Sequence, residues 1–585
     1  MATEFSREFF ADNRIVKAEL RSARKPREEE LNRVRAEVRK LYDATEVILN
    51  VTVDESLLSG YVLQVGDRVF DNSGRHQLDK MMEGKPSLAT LKTRIEDYKP
   101  AETSAEGGVV ISSADGIVHV EGMNRAVYGE IVTFDNGAKG MVESVDPEQL
   151  GIMLFDGAET VGVGTMVTRS GKRAGIPVGD AFLGRVISPL GEPIDGKGPI
   201  EAVGYNPIEK QAPGILERQS VDTPLHTGIL AIDSMFPIGR GQRELIIGDR
   251  QTGKTSIATD AILNQKNTGV LCIYVAIGQK ASSIARVAGD LQKHGAMSYT
   301  TIVAATASDS APLQYIAPYA GTALAEYFMS QGKSVLIVYD DLSKHAVAYR
   351  AISLLLRRSP GREAYPGDVF YLHSRLLERA ARLSDERGGG SMTALPIVET
   401  QAGDVSAYIP TNIISITDGQ IFLESSLFFS GHRPAVNVGL SVSRVGGAAQ
   451  TKAMKKAVGT LRLDLAQYRE MEVFTQFSSD LDEETKSQLA YGQSLMYILR
   501  QGRSAPLSQG QQIVTLVTAM AHLYQQVPVA QVCALRDFLL GEFAAQRQSL
   551  MLQLEQGAAL DDELRGQIND FARTALEKFK RTGGR

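Results

Sequence analysis

The sequence is poor in cysteine and in long apolar runs, and each shortage excludes a class of protein. Cys272 and Cys533, the two cysteines of the chain, lie far apart in apolar surroundings. A disulfide scaffold is therefore excluded, and we expect two small core residues in a reducing compartment. The apolar runs fall short of the roughly 18 residues that a membrane-spanning helix needs. Because Met1 to Phe5 also lack the features of a signal peptide, we expect any membrane role to depend on partners.

A large net charge is also missing. The chain carries 63 Lys and Arg against 69 Asp and Glu, a net charge of −6. This balance argues against a nucleic-acid-binding surface covering the whole protein, although it leaves a local basic groove open. A length of 585 residues with 43% hydrophobic residues predicts roughly three to four domains with ordinary cores.

The pattern along the chain divides it into five segments. An N-terminal strand over residues 14–22 is followed by a helix after Pro26, and β-branched runs complete a small α+β module. A second helix ending near Met82 leads to a linker at Gly84 to Pro86. The predicted segments are the module (1–84), a linker or helix (85–104), a small β-barrel (105–180), a parallel α/β nucleotide-binding domain (181–457) and a C-terminal helical bundle (458–585).

The strongest motif is a phosphate-binding loop that lies between an apolar strand and a helix. It fits the pattern G-x-x-x-x-G-K-[ST] and comprises Gly248, Asp249, Arg250, Gln251, Thr252, Gly253, Lys254 and Thr255. Backbone N–H groups freed by the glycines can surround a phosphate at the positive end of the helix. Lys254 is expected to reach the outer phosphates, and the Thr255 hydroxyl is expected to bind magnesium. The alternative is an ordinary glycine-rich turn.

A second carboxylate is expected near such a loop, because the magnesium shell needs one. The apolar run from Ser334 to Tyr339 ends in Asp340 and Asp341, so Asp340 is the candidate. The alternative is that both aspartates only begin the next helix.

Hydrolysis also needs a group that activates water. The apolar strand from Cys272 to Gly278 leads into Gln279 and Lys280, and not into a glutamate. An amide can orient water but cannot accept a proton at neutral pH. We therefore expect this site to bind nucleotide far better than it hydrolyses it.

Several long motifs resemble the alpha subunit of F-type ATP synthases. They are Pro237 to Ile247, Tyr339 to Lys344, Arg357 to Glu363, and Ile414 to Gln420. The resemblance runs from about Ser87 to the C-terminus and implies a β-barrel, a RecA-like P-loop nucleotide-binding domain and a helical bundle. It also implies a non-catalytic subunit that alternates with a catalytic beta subunit in a three-plus-three ring.

The same resemblance implies the ligand contacts. It places ATP or ADP phosphates on Gln251 to Ser256, Mg²⁺ on Thr255 with Asp340 nearby, and adenine near Arg433, Pro434 and Gln501. In the family a glutamine usually stands two positions after Gln501, and here that position is Arg503.

A catalytic role in the neighbouring subunit is implied too. Ser441 to Arg444 match the segment whose arginine reaches the adjacent beta site as an arginine finger, with Ser441 and Ser415 close by. A guanidinium suits this role because it stays charged and can bind two phosphate oxygens at once.

Residues 1–84 precede the part that resembles alpha subunits. Lys17 to Leu20, the helix after Pro26, Val51 to Gly60 and Gly66 to Asp71 resemble the C-terminal domain of the synthase delta subunit. That resemblance implies a fused domain for attachment to the peripheral stalk, and the alternative is an unrelated α+β appendage. Three alpha copies would carry three such domains, whereas the family uses one delta.

The preferred hypothesis is a regulatory alpha subunit that works in ATP synthesis and hydrolysis driven by an ion gradient. The implied partners are the beta subunit, the gamma central stalk, the peripheral stalk b subunit and any separate delta subunit, at the cytoplasmic face of a bacterial cell membrane. The alternatives are a self-sufficient hexameric motor, such as a helicase or a secretion ATPase, and a scaffold that serves the stalk alone. Gln279 disfavours the first alternative, and the intact phosphate loop disfavours the second.

Overall fold

The computed structural model describes residues 15–42, 44–65, 68–73, 103–147, 149–475 and 482–581. The helix expected near Met82 and the linker at Gly84 to Pro86 lie outside these ranges.

The N-terminal module is a small sheet with one helix packed on it. Its elements are strands β1 (Ile15–Ser22), β2 (Glu46–Val53), β3 (Tyr61–Val65) and β4 (Arg68–Asp71) and helix α1 (Glu28–Tyr42). Strand β1 is parallel to β2 and antiparallel to β3, and β3 is antiparallel to β4. Val34 and Val38 of α1 are buried with Ala18, Leu20 and Leu63 of the sheet. The predicted first strand and the helix after Pro26 are confirmed.

A closed β-barrel follows the module. Its strands are β5 (Thr103–Ala114), β6 (Ile117–Gly122), β7 (Glu130–Phe134), β8 (Lys139–Val145), β9 (Leu150–Leu154) and β10 (Met166–Arg173). They follow the order β10-β7-β8-β9-β6-β5, and pairing of β10 with β5 closes the barrel. Closure leaves the barrel strands without a free edge and buries apolar side chains such as Val118, Val132 and Ile152 inside.

The module and the barrel share one sheet. Strand β4 pairs antiparallel with the first residues of β5, from Arg68↔Glu106 to Asp71↔Thr103. Arg21 also forms an ion pair of 3.1 Å with Asp135, and Met166 packs with Val62 and Val69. The sheet is therefore continuous from the module into the barrel.

The nucleotide-binding domain is built on an eight-stranded sheet of order β12-β18-β17-β19-β20-β16-β21-β22. Its strands are β12 (Val186–Ile187), β16 (Leu245–Gly248), β17 (Val270–Gln279), β18 (Thr300–Thr306), β19 (Ser334–Asp340), β20 (Ser391–Glu399), β21 (Gly419–Leu423) and β22 (Val442–Ser443). All neighbours pair in parallel except β21 and β22, which are antiparallel. Two small sheets accompany it, β11 (Gly175–Val178) with β13 (Gly204–Pro207), and β14 (Pro224–Leu225) with β15 (Ile238–Gly239).

Helices alternate with the strands of this sheet. They are α2 (Leu230–Met235), α3 (Lys254–Leu263), α4 (Ala281–Lys293), α5 (Ala311–Ser330), α6 (Leu342–Leu355), α7 (Val369–Leu377), α8 (Tyr408–Ile416) and α9 (Ser425–Phe429). The predicted α/β class is confirmed, and the carboxyl ends of the parallel strands create the edge at which such sheets bind ligands.

The C-terminal part is helical, as predicted. Its helices are α10 (Lys452–Val458), α11 (Leu461–Thr475), α12 (Glu483–Ile498), α13 (Gln509–Met520), α14 (Val532–Gln546), α15 (Gln548–Glu555) and α16 (Asp562–Arg581). Asp482 caps α12 by accepting a hydrogen bond of 2.9 Å from the Thr485 backbone N–H. Across the described parts of the chain, no helix combines the length and apolar character that a membrane crossing requires.

Candidate functional site

The phosphate loop joins β16 to α3 at the carboxyl edge of the sheet. Strand β16 is buried between β20 and β21. Gln251 and Gly253 have φ angles of +64° and +97°, which bend the chain into the first turn of α3. Gly248 has no room for a side chain, because a Cβ there would lie 2.5 Å from the carbonyl oxygen of Leu423. The loop therefore requires glycine for its packing as well as for its backbone angles.

Asp249 fixes the loop to the rest of the domain. Its carboxylate accepts hydrogen bonds from the Thr400 hydroxyl at 2.7 Å, the Gly403 backbone N–H at 2.8 Å and the Ser425 hydroxyl at 2.8 Å. Burial acts to raise the pKa of Asp249, but these donors outweigh burial and lower it. Asp249 therefore supports the loop from behind.

Lys254 lies buried at the start of α3. Its ammonium donates to the carbonyl oxygens of Gly248 at 2.8 Å and Asp249 at 2.6 Å. Burial lowers the pKa of Lys254, while Glu399, Asp341 and Asp340 oppose this effect. Both hydrogen bonds of the ammonium go to backbone carbonyls of the loop, in a position that phosphate oxygens can share.

Asp340 is the centre of the polar cluster beside the loop. Its Oδ2 accepts from the Thr255 hydroxyl at 2.8 Å and from the Tyr274 hydroxyl at 2.6 Å, and its Oδ1 accepts from the Gln279 amide at 3.0 Å. The fold thus brings together Thr255, Gln279 and Asp340, which are far apart in the chain. Tyr274 was missed by the sequence analysis, although a buried tyrosine inside an apolar strand usually needs a polar partner.

The cluster offers the ligands that magnesium prefers. Thr255 supplies a hydroxyl and Asp340 a carboxylate within hydrogen-bonding distance of each other. No group of three or more His, Cys, Asp or Glu side chains with metal-binding spacing occurs among the described residues. A hydroxyl and one carboxylate suit a magnesium ion that takes its other ligands from phosphates and water. The donor set therefore fits Mg²⁺ bound together with a nucleotide.

The residues expected near adenine lie together. The backbone N–H of Gln501 donates to the carbonyl oxygen of Arg433 at 2.8 Å, and the Arg433 guanidinium lies 4.3 Å from the centre of the Phe428 ring. The side-chain amide of Gln501, however, donates to the carbonyl oxygens of Gly228 and Ala505, both at 2.7 Å. The Gln501 side chain therefore links two backbone segments by hydrogen bonds. Arg433 is the more exposed of the two residues and the more accessible to a ligand.

A small surface pocket adjoins Arg433 and Pro434. His432 and Arg500 line it, and Arg500 donates from Nε to His432 Nδ1 at 3.2 Å. Burial and the neighbouring Arg500 lower the pKa of His432. This pair is not evident from the sequence, because its two members lie in different segments of the chain. Arg503 is absent from the pocket lining and instead forms an ion pair with Asp290 of α4.

Arg444 directly follows β22. It is exposed, and its guanidinium makes no hydrogen bond or ion pair with any other described residue. Ser415 is exposed as well, whereas Ser441 is fully buried and its hydroxyl accepts from the Phe422 backbone N–H at 3.0 Å. Ser441 thus supports the strand, and Arg444 presents an unpaired cation.

Comparison with protein families and curated proteins agrees with this architecture. The ATP synthase alpha/beta family matches with its β-barrel domain at residues 103–171, its nucleotide-binding domain at 228–443 and its C-terminal domain at 450–575. An ATP synthase subunit alpha from Caldanaerobacter subterraneus subsp. tengcongensis is 62% identical over 453 residues, which is 77% of this chain and 89% of the relative. The subunit alpha of Acetivibrio thermocellus is 56% identical over 493 residues, which is 84% of this chain and 97% of the relative.

The chain belongs to the ATP synthase alpha subunit family. As a member of this family it is a subunit of the ATP synthase complex, a rotary ATPase, and part of its catalytic head.

This ATP synthase alpha subunit carries an additional N-terminal domain. Residues 1–84 match the ATP synthase delta (OSCP) subunit family. The predicted resemblance to delta is confirmed, and the described part of the matched segment is the module that shares its sheet with the barrel.

Proposed function

We propose that this chain is a non-catalytic, nucleotide-binding alpha subunit that supplies Arg444 to the active site of an adjacent beta subunit. The observation that carries the proposal is the position of Arg444 relative to the chain's own phosphate loop. The two lie at opposite ends of the same paired strands.

The strand register gives the separation. Gly248, at the phosphate loop, pairs with Leu423 at the end of β21, whereas Gly419, at the start of β21, pairs with Ser443. Four residue steps from Gly419 to Leu423 span about 13 Å at about 3.3 Å per residue. This separation exceeds the length of an arginine side chain. The exposed Arg444 is thus better placed for phosphates bound by a neighbour than for those bound by its own loop.

The chemistry of Gln279 supports the non-catalytic part of the proposal. Its amide lies 3.0 Å from Asp340, beside the candidate metal ligands. An amide at this point can orient water but has no basic site to accept a proton. Tight binding with little turnover is the behaviour that this arrangement favours.

The nucleotide-binding part rests on the phosphate loop. Backbone N–H groups and Lys254 bind the phosphates of ATP or ADP, and Thr255 and Asp340 hold Mg²⁺, which offsets phosphate charge when it is bound. The base lies near Arg433, Pro434 and Gln501, with Arg433 as its principal contact. Gln501 acts there mainly by positioning the backbone.

Turnover by the purified chain, alone and mixed with beta, tests the proposal. We expect almost no ATP hydrolysis from the chain alone and robust hydrolysis from the assembled ring. Arg444→Ala should lower ring turnover by about a thousandfold or more, because an arginine finger contributes about 10³ to 10⁵ in kcat. ATP binding to the isolated chain should stay the same. Arg573→Ala, which changes an exposed arginine on α16, is the matched control.

Two results would contradict the proposal. Robust turnover by the chain alone would favour a self-sufficient hexameric motor. Unchanged ring turnover in Arg444→Ala would remove the role of this arginine in the neighbouring site.

We further propose that the N-terminal module attaches the ring to the peripheral stalk and replaces part of a separate delta subunit. The match of residues 1–84 to the delta family supports this role. The partners are then beta, the gamma central stalk and the stalk subunit b, in a peripheral complex at the cytoplasmic face of a bacterial membrane. Native mass spectrometry should find no full-length delta bound to the ring, and finding one would count against replacement.

A further inference from the structure

A buried acid lies beneath the strand that precedes Arg444. Glu244 stands directly before β16 and is 0% exposed. Its Oε2 accepts a hydrogen bond of 2.7 Å from the Gln242 amide, whereas its Oε1 has no hydrogen-bond partner among the described residues. Gln242 is also 0% exposed. Burial of an acid with one hydrogen bond is costly, and a functional role would compensate for this cost.

Gln242 connects this acid to the arginine segment. The same amide nitrogen that binds Glu244 also lies 3.2 Å from the hydroxyl of Ser443, the residue before Arg444. The Ser443 hydroxyl in turn donates to the Pro237 carbonyl oxygen at 2.8 Å and accepts from the Gly446 backbone N–H at 3.2 Å. The backbone on both sides of Arg444 is thereby fixed to the pair formed by Glu244 and Gln242.

The carboxyl of Glu244 also contacts the strand pair directly. A Cβ built at Gly419 would lie 2.6 Å from Glu244 Oε2 and 2.2 Å from the carbonyl oxygen of Val442. Only glycine at this position lets the acid approach the paired backbones of β21 and β22. Gly419 pairs with Ser443, the residue that precedes Arg444.

The charges around Glu244 favour its neutral form. Burial and the neighbouring Asp418 raise the pKa of Glu244 well above its ordinary value, while Gln242 and Arg444 act in the opposite direction. Asp418 is itself bound by Arg243, with Nη2 to Oδ1 at 2.8 Å, and its carbonyl oxygen accepts from the Arg444 backbone N–H at 2.8 Å. A neutral acid can pack under the strand without repelling Asp418.

We propose that Glu244 and Gln242 form a buried positioning pair that sets where Arg444 stands at the subunit surface. This inference rests on the proposed role of Arg444 in the neighbouring site. Glu244 touches no substrate and acts through Gln242 and the Ser443 hydroxyl, which hold the backbone around Arg444. Its role is to restrict the cation to one position, because a displacement of about 1 Å can cost up to about a hundredfold in rate.

Ring turnover by variants of Glu244 tests the inference. In the assembled ring, Glu244→Ala should lower turnover at saturating ATP by about tenfold or more. ATP affinity of the isolated chain should not change. Glu244→Gln keeps the shape and the neutral charge of the protonated acid, so it should restore at least about half of the turnover.

A second comparison separates positioning from a general loss of stability. Because Glu244 acts through Arg444, adding Glu244→Ala to Arg444→Ala should change the remaining rate by less than about twofold. A further loss of about tenfold in the double variant would overturn the inference.

The outcomes also separate this inference from the proposed function. Unchanged turnover in Arg444→Ala would refute the role of Arg444 and the inference with it. A large loss in Arg444→Ala with no loss in Glu244→Ala would refute the inference alone. If Glu244→Ala fails to assemble, Ser443→Ala removes the hydroxyl that Gln242 contacts. That variant should lower turnover several-fold in an assembled ring, and wild-type turnover would overturn the inference.

Discussion

The two ends of the paired strands β16 and β21 are built in opposite ways. At the carboxyl end, hydrogen bonds within the chain hold the functional side chains in place, and these side chains are Asp249, Lys254, Thr255 and Asp340. At the amino end, the buried Glu244 lies beneath the strand, and the Arg444 guanidinium has no partner among the described residues. A preassembled site therefore stands opposite an unpaired cation.

This difference indicates which end of the strands binds the chain's own nucleotide. A site whose donors are already arranged loses little freedom when a nucleotide binds, which favours a stable complex. The Arg444 guanidinium, by contrast, forms no hydrogen bond or ion pair with a described residue, although its backbone is held in place. It is therefore available to a ligand bound by another subunit. Changes at one end should therefore affect nucleotide binding, and changes at the other should affect turnover in the ring.

The largest expected effects come from one substitution at each end, Lys254→Ala at the carboxyl end and Arg444→Ala at the amino end. Their effects on ATP binding and on ring turnover should differ. Lys254→Ala removes a buried ammonium that can form charge-assisted hydrogen bonds to phosphate. We expect ATP to bind the isolated chain about a hundredfold more weakly, as judged by titration calorimetry. The initial turnover of the ring should fall far less than with Arg444→Ala.

The reverse pattern serves as the control for this comparison. Arg444→Ala should leave calorimetric binding to the isolated chain at the wild-type level. If Lys254→Ala and Arg444→Ala gave the same pattern in both assays, the two ends would not be functionally distinct.

The next largest effect is expected from alanine substitutions at two glycines, one at each end of the paired strands. A Cβ at Gly248 would lie 2.5 Å from the carbonyl oxygen of Leu423, and one at Gly419 would lie 2.2 Å from that of Val442. Each alanine substitution should cost about 1–3 kcal/mol of stability, since backbone atoms must move. Gly248→Ala should weaken ATP binding, whereas Gly419→Ala should lower ring turnover.

Gly289 provides the control for overpacking. It lies in α4, and a Cβ there meets no atom within 4 Å. Gly289→Ala should be neutral or stabilise the helix by up to about 1 kcal/mol in thermal unfolding.

Equal losses of ATP binding in Gly248→Ala and Gly419→Ala would contradict the comparison, because they would show that the two ends do not act separately.

A smaller effect should distinguish Thr255, a proposed Mg²⁺ ligand, from its neighbour Tyr274. Thr255→Val removes the hydroxyl beside Asp340, and we expect about a tenfold loss of the gain in ATP affinity that Mg²⁺ provides. Tyr274→Phe removes another hydroxyl bound to the same carboxylate oxygen, and it should cost about threefold or less. Titrations with Mg²⁺ and with a chelator measure both. An equal loss in the two variants would argue that Thr255 only orients Asp340.

The carboxyl end was far easier to predict than the amino end, and the reason is sequence distance. The residues of the phosphate loop are contiguous, so their spacing alone predicts a strand, a loop and a helix, and the fold confirms these elements. The resemblance to a known family also led to Arg444. By contrast, the contact between Gln242 and Ser443 joins residues 201 positions apart. No local pattern marks such a pair.

Tertiary contacts also change what a motif residue does. Gln501 was expected near adenine, yet its amide is bonded to the backbones of Gly228 and Ala505. Ser441 was expected at the neighbouring site, yet it is buried with its hydroxyl bonded to the backbone of Phe422. The family resemblance assigns each residue to a site, but the direction of a side chain depends on which segments the sheet brings together.

The smallest expected effect concerns a second buried acid, on the phosphate-loop side. Burial raises the pKa of Asp260 in α3 to about 6, although the Ser504 backbone N–H donates to it at 3.0 Å. Its ordinary pKa is about 3.9, so the folded chain binds this proton more tightly than the unfolded chain does. The free energy of unfolding should therefore fall as pH rises from about 4 to about 6, and this contribution should stay constant above that range.

Asp260→Asn keeps an oxygen that can accept from Ser504 and removes the charge. The variant should be more stable than the wild type by up to about 2 kcal/mol above pH 6, and the gain should vanish near pH 4. Melting temperatures measured at several pH values test this. ATP binding and ring turnover should stay close to the wild type, since Asp260 lies in the second turn of α3, beyond the loop residues. A gain independent of pH would contradict the assignment, because only a titrating carboxyl gives a difference that disappears when the acid is protonated in both states.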